Sequence, residues 1–316
     1  MSYEIIVTKE FDGVKPKNYL KKYIDLPYFQ LFKFLKEKRI TLNGKKIKDD
    51  SILREGDVIK VWLDSIKLRN SPIQVREKEN LNIPILFENE NLMILNKLPG
   101  VVVQGAQDNE LSLSKHLAYL KQKNNDVGEF EYFHAHRIDK DTSGCLVVGK
   151  TRTALRELNE IFASRDVKKV YLCLCKGSFI ETQGEIEVYL KRNEQGVNEK
   201  VSVFKNEVIG SKRTFSKYKV LEEIDFDNEI FSLVEVEIET GFMHQIRVHM
   251  KYLGHPIIGD KMYGNSYVNN LFSNKLNRQF LHAESVEFDF NGETISVKAS
   301  LTKDLDFFLN YLKRKN

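Results

Sequence analysis

The densest run of side chains able to do chemistry is His134-Ala135-His136-Arg137-Ile138-Asp139-Lys140-Asp141-Thr142-Ser143-Gly144. A carboxylate such as Asp139, with a cation close on either side, is equipped to act as a nucleophile or a base. Metal binding is the competing chemistry. Asp139, Asp141 and Ser143 imitate the opening of a calcium loop, but Lys150 stands where that loop needs its final acid. His134 and His136 could ligate zinc, yet no third ligand follows at usable spacing and no HExxH pair exists. Arg137 and Asp139 could also do no more than bracket a turn through hydrogen bonds. On residue types alone, that reading is favoured.

A second cluster is Thr240-Gly241-Phe242-Met243-His244-Gln245-Ile246-Arg247-Val248-His249-Met250. A turn at Gly241 opens a helix, and Gly254 is placed to close it as the C′ residue. Met243, Ile246, Met250 and Leu253 form an apolar stripe, with His244, Arg247 and Lys251 on another flank. An amphipathic helix with a basic exposed side explains this pattern. It leaves unexplained why functional side chains crowd the first turns directly after a buried strand. Tyr171 lies in a strand, where core or cross-strand packing is the ordinary role. The chain has no GxSxG elbow, and Cys173 and Cys175 lack a second pair for zinc.

The elements that must position these clusters mix strands and helices. Residues 85–87 and 92–95 read as paired strands. Residues 145–148 form a continuous apolar run, as in a buried strand. Residues 153–162 read as a helix with Ala154, Leu155, Leu158, Ile161 and Phe162 on one face. Residues 167–175 alternate, with Val170, Leu172 and Leu174 set against Tyr171, Cys173 and Cys175. In 233–239, Val234, Val236 and Ile238 alternate with glutamates. Irregular spacing and frequent hairpins predict an α+β domain with a mixed, mainly antiparallel sheet.

A length of 316 residues suggests two domains. Hydrophobic and charged fractions of 41% and 30% exclude collagen-like and wholly disordered chains. No apolar run approaches the ~18 residues of a membrane span. The first ten residues, with Glu4 and Glu10, read as neither a secretory signal nor a transit peptide. Cysteines number three, which argues against a disulfide framework, so the expected compartment is a reducing cytoplasm.

The net charge of +4 hides an asymmetry. Eleven Lys/Arg and only two acids lie between Lys15 and Lys48. Such a region is either a solvated lysine-rich surface or an electrostatic footprint for nucleic acid. Its shape is readable. A helix-like segment covers 19–24, and Pro27 suits the first turn of a second helix. Tyr28, Leu31, Phe32 and Leu35 recur there at helical spacing. Asn43-Gly44 signals a hairpin, and Glu55-Gly56-Asp57 turns into a strand over 58–62.

Through KFLKEKRITLNGKKIK and LREGDVIKV this unit resembles the S-four RNA-binding domain, named for a ribosomal small-subunit protein. The resemblance implies a basic face on the second helix and the hairpin. It makes Lys33, Lys36, Lys38, Arg39, Lys45 and Lys46 the expected phosphate contacts, which position RNA without reading it. The expected organisation is an S-four-like domain over 1–65, a linker over 66–83 and a catalytic domain over 84–316.

That larger region resembles the RluA family of pseudouridine synthases. The resemblance runs through ILNKLPGVVVQG, HRIDKDTSGCLVVGKT, KKVYLCLCKG, SKRTFSKYKV and TGFMHQIRVHMKYLGHPIIGDKMYG. The order and separation of these strings fit as well. With LNRQFLHAESVEF, the tail most resembles the RluC-type branch, which modifies several uridines of large-subunit ribosomal RNA.

The resemblance implies a role for each matched residue. Asp139 is the catalytic aspartate, acting at the glycosidic bond as nucleophile or as a base that starts glycal formation. Arg137 helps evict the target base from its stack. Tyr171 stacks on the flipped uracil and assists proton transfer. Arg247 pairs with Asp139, and Ile246 lines the base pocket. Detaching, turning and rejoining a uracil needs no redox or phosphate energy, so no cofactor and no metal are expected. The expected partner is RNA, namely 23S ribosomal RNA or the assembling large subunit, and no membrane. Departures from the family pattern are Phe242-Met243 for Arg-Thr, Leu98 for proline and Gln104 for histidine. Two other functions differ in what they predict. An inactive ribosome-assembly factor would make no product. A glycosidase using Asp139, with Asp141 as the acid, would release free uracil.

Overall fold

The computed structural model describes residues 2–23, 28–48, 51–62, 81–104, 110–124, 126, 130–193 and 200–314. The chain divides into two compact units, residues 1–76 with 127–130, and 77–126 with 131–316. Pro27 and most of the expected linker lie outside the described residues.

The first unit contains β1 (Ser2–Ile6), α1 (Pro16–Tyr23), α2 (Tyr28–Lys36), β2 (Ile40–Leu42), β3 (Lys45–Lys46) and β4 (Val58–Trp62). Its sheet runs β1-β4-β2-β3, all antiparallel. Strand β1 is an element that the sequence reading did not mark. The Asn43-Gly44 turn takes positive φ at both residues, 49° and 74°, as a two-residue type I′ hairpin requires. Asn43 also ties the hairpin to β4, accepting from Val58 N–H and donating to Asp57, each at 2.8 Å. Leu31 and Leu35 of the helical stripe join Leu20, Ile40, Ile59 and Val61 in the core.

The second unit begins with β5 (Ile85–Glu88), β6 (Leu92–Lys97), α3 (Leu113–Lys123), β7 (Phe133–His134), β8 (Ser143–Gly149) and α4 (Arg152–Ser164). Then come β9 (Val167–Lys176), β10 (Gln183–Arg192), β11 (Val201–Phe204), β12 (Lys212–Phe226) and β13 (Glu229–Ile238). It closes with α5 (Gln245–Tyr252), α6 (Ser266–Leu271), β14 (Leu281–Phe290), β15 (Glu293–Lys298) and α7 (Lys303–Lys313). The sheet order is β11-β10-β12-β13-β9-β14-β8-β6-β5, with β15 on β14 and β7 on β8. Of the named pairings, only β14 with β8 is parallel, so the sheet is mixed and mainly antiparallel. That junction depends on Gly144. Its φ is +113°, and a Cβ there would lie 2.1 Å from the Ala283 carbonyl oxygen, closer than two strands can tolerate.

Helix α4 forms as its pattern predicts. Thr151 caps it by accepting from Ala154 N–H, and Ala154 and Leu158 are buried. Helix α3, which the sequence reading did not mark, buries Leu113, Leu117 and Leu120.

One expectation, the basic exposed side of α5, is corrected. Strand β9 keeps its alternation with both faces covered. It lies between β13 and β14, and Val170 to Cys175 are all buried. Helix α5 exposes only Lys251 of its basic flank, because Gln245 to Met250 are buried on every flank. It also starts later than read, at Gln245, after His244 in a left-handed conformation with φ 57°.

Candidate active site

Asp139 lies on the loop between β7 and β8, and two buried cations reach that loop from distant parts of the chain. Lys97, at the end of β6, donates from Nζ to the carbonyls of Leu98 (2.9 Å), Val101 (3.1 Å) and Lys140 (2.9 Å). An ammonium has three protons, and here each has an acceptor. Burial lowers the Lys97 pKa to about 7, with Asp141 and Asp139 pulling it back up and Arg278 lowering it further. Arg278, just before β14, donates to the Asp141 carbonyl (2.9 Å) and the Ser143 hydroxyl (3.2 Å). Its other donors hold Asp304 at the start of α7 at 2.6 and 3.1 Å. Ser143 Oγ lies 2.9 Å from His282 Nδ1. The backbone on either side of Asp139 is therefore pinned by β6, β14 and α7.

His136 is turned inward rather than toward a metal. Its Nε2 accepts from Val147 N–H at 3.1 Å, and its ring stacks on Phe162. His134 stacks on Phe133. Among the described residues, no group of three His, Cys, Asp or Glu is placed to hold a metal ion.

Arg247 comes from α5 and is 7% exposed. Its Nε donates to Asp260 Oδ2 at 2.7 Å and its Nη2 to Asp260 Oδ1 at 2.9 Å. Its Nη1 donates to Asp139 Oδ2 at 3.1 Å. Burial opposes the guanidinium charge, but the bonds and charge of Asp260, together with Asp139, outweigh it and hold Arg247 protonated above its ordinary range. Burial likewise opposes the Asp260 charge. Arg247, with the N–H groups of Tyr263 and Met262, overcomes it and keeps that carboxyl below the usual range. The helix start is fixed by Gln245, whose Oε1 accepts from Thr240 Oγ1 and Phe242 N–H. Its Nε2 donates to the Phe215 carbonyl and to Ser216.

These elements surround a cavity of about 110 Å³. Arg137, Asp139, Tyr171, Ile246 and Arg247 line it together, with Phe242, Met243 and His244 from the turn before α5. The Asp139 side chain is 23% exposed, enough for an entering ligand to reach it. Arg137 is exposed. Tyr171 is buried, and its phenol is pushed up by burial and next by the Asp139 charge, so it stays protonated. Leucine 281, from the start of β14, closes another part of the wall.

The sequence reading assigned no role to Lys97, Asp260 or Arg278, although each falls in a quoted string. For Lys97 and Asp260 the signal is a charged residue closely following buried apolar positions, in Ile94-Leu95-Asn96-Lys97 and Ile257-Ile258-Gly259-Asp260.

In the first unit, Lys33, Lys36, Lys38, Arg39, Lys45 and Lys46 are all exposed. Glu37 lies 3.9 Å from Lys33 and 3.3 Å from Arg39. Lys45 and Lys46 are neighbours on β3 and project to opposite faces.

Residues 91–252 match the RNA pseudouridylate synthase family. The chain is 30% identical to the ribosomal large subunit pseudouridine synthase C of Vibrio parahaemolyticus, over 98% of this chain and 96% of that one. It is 31% identical to the protein of the same name from Haemophilus influenzae, over 98% and 94%. The solved structure of human RNA pseudouridylate synthase domain containing 1 superposes with a TM-score of 0.57 at 26% identity, covering 73% of this chain and 94% of that one. The chain belongs to the RNA pseudouridylate synthase family. It is an isomerase, an RNA pseudouridine synthase.

Proposed function

We propose that this enzyme isomerises uridines of 23S ribosomal RNA, with Asp139 as the reacting carboxylate and without a cofactor. The observation that carries this reading is the Arg247–Asp139 ion pair, set in a cavity of about 110 Å³ with Tyr171, Ile246 and Arg137. The substrate class follows from the ribosomal relatives, which align over nearly the whole chain.

The reaction breaks the bond from N1 of uracil to C1′ of the ribose and forms one from C5 to C1′. It neither oxidises nor hydrolyses, so the chain's own groups suffice. Asp139 either attacks C1′ or removes a ribose proton to form a glycal, and Arg247 stabilises its charge in both routes. The base must first leave its stack, at a few kcal/mol. Exposed Arg137, two residues from Asp139, is placed to occupy the gap it leaves. Tyr171 offers a ring face for the uracil and a hydroxyl that can relay the proton shed by C5. Ile246 supplies apolar wall. Asp139 is the one carboxylate among the described residues lining this cavity, whereas a glycosidase needs a second.

The N-terminal unit is read as an S-four-like RNA-binding domain over 1–65, joined through 66–83 to a catalytic domain over 84–316. Lys33, Lys36, Lys38, Arg39, Lys45 and Lys46 are its phosphate contacts. The partner is 23S RNA or the assembling large subunit, and the compartment is the cytoplasm. No helix among the described residues is long and apolar enough to cross a membrane.

The test is to map pseudouridines in ribosomal and transfer RNA from cells with and without the gene. Sites lost from 23S RNA support the assignment. Sites lost only from transfer RNA, or none lost, overturn it.

A further inference from the structure

A larger cavity, of about 420 Å³, adjoins the base pocket, and Arg137, Tyr171 and Phe242 line both. Its remaining wall is basic, with Arg165, Lys169, Lys212 and Arg213 facing a single carboxylate, Glu239, among the described lining residues. Arg213 is already engaged by Glu187 at 2.7 and 2.6 Å. Arg165 and Lys212 are exposed.

Lys169 differs from the other three. It is 8% exposed, yet its Nζ makes no hydrogen bond or ion pair with any described residue, and the Phe162 ring lies 5.9 Å away. Burial, and next the Arg165 charge, hold the Lys169 pKa below the ordinary lysine range. An anion placed beside it would restore the ammonium with the partner that the described residues do not supply. Lys169 lies two residues before Tyr171 on β9. The two side chains therefore leave the same face of the sheet, roughly 6–7 Å apart along the strand. With the base against Tyr171, the adjoining cavity offers the ribose-phosphate backbone a basic path on the Tyr171 side. Another of about 420 Å³, lined by Lys140, Lys200 and Lys261, opens on the Asp139 side.

We propose that Lys169, supported by Arg165, seats a phosphodiester next to the target uridine. This rests on the reading of the site as one that flips a uridine of RNA. A phosphate bound there supplies the missing counter-charge. It also fixes the backbone at one point while the base is turned at another, so Lys169 is a positioning residue rather than a catalytic one.

The test uses the full chain and a synthetic RNA hairpin carrying a mapped 23S target uridine. Each of the two phosphates flanking that uridine is replaced in turn by an uncharged methylphosphonate. For the wild type, one replacement should raise KM about tenfold or more, the size of one charge-assisted hydrogen bond. Lys169→Met keeps an unbranched stem and removes the ammonium. It should show a similar rise on the unmodified hairpin, little change in kcat, and indifference to that methylphosphonate. Lys169→Arg should recover most of the affinity, and Lys169→Gln serves as a second neutral variant. If the neutral variants lose as much from the methylphosphonate as the wild type does, the proposal is overturned.

Should the wild type convert no uridine in any RNA, the activity reading fails, and the seat is then read by binding alone. Binding of nine-residue oligouridylate across a salt series should give a log–log slope smaller by ~0.7–0.9 for Lys169→Met. An unchanged slope there also overturns the proposal.

Discussion

Asp260 grips Arg247 with two parallel hydrogen bonds, at 2.7 and 2.9 Å, and that grip leaves Nη1 aimed at Asp139, 3.1 Å away. Asp260 is itself sealed from solvent and held by the Met262 and Tyr263 N–H groups. The charge beside Asp139 is thus set by a carboxylate more than a hundred residues further along the chain. Asp260→Asn should break the bidentate pair and leave a buried guanidinium partly uncompensated. The expected loss is ~3–5 kcal/mol of stability, read by urea unfolding, with a collapse of kcat. Unchanged unfolding and turnover would show that the grip does not organise Arg247.

Tyr171 separates packing from chemistry. Its ring lines the base cavity, and its phenol stays protonated because of burial and the nearby Asp139 charge. Tyr171→Phe keeps the ring face and should cost less activity than Tyr171→Ala, which loses both ring and hydroxyl. Single-turnover rates on a target RNA decide this, and equal losses would show that stacking is not the main role.

His136 makes stability depend on acid. Burial first, then the charges of Lys169 and His134, push its pKa down to about 3. The unfolded chain titrates near 6.5. Its contribution is therefore full above pH 6.5 and is lost as pH falls toward 3, at ~1.4 kcal/mol per unit once the unfolded form is protonated. His249, pushed down to about 4 by burial, adds a similar decline. His136→Gln keeps an acceptor for Val147 N–H, so its urea midpoint should fall less steeply between pH 7 and 5 than that of the wild type. Parallel declines would contradict this account.

Local signals were legible where one residue type answers one geometric demand. The Asn43-Gly44 hairpin and the Gly254 stop to α5 are of that kind. The loop of Asp139 was legible as a strand entrance, and the structure brings Arg137, Asp139, Tyr171, Ile246 and Arg247 to one cavity. Periodicity failed where an element is buried all round. On β9 residues 170–175 alternate between two faces, and α5 has an apolar stripe beside a basic flank. Yet β9 is covered on both faces and α5 on every flank over Gln245 to Met250, so pattern could not tell inside from outside. Arg278 carries no local signal because its partners are distant in sequence, whereas Lys97 and Asp260 also bond to near neighbours, Val101 and Tyr263 among them. Arg278 meets Asp141 and Ser143 across more than 130 residues. No local spacing announces such a contact.

The central claim is that the Asp139 carboxylate carries the reaction. Asp139→Asn keeps the size of the side chain and an oxygen for Arg247 Nη1, and removes the charge. The direct measurement is pseudouridine formed in 23S RNA transcripts by equal amounts of wild-type and Asp139→Asn protein of matched folded content. The account predicts pseudouridine from the wild type and a rate lower by at least ~10³-fold from the variant. Pseudouridine formation by Asp139→Asn at more than a few per cent of the wild-type rate would contradict it.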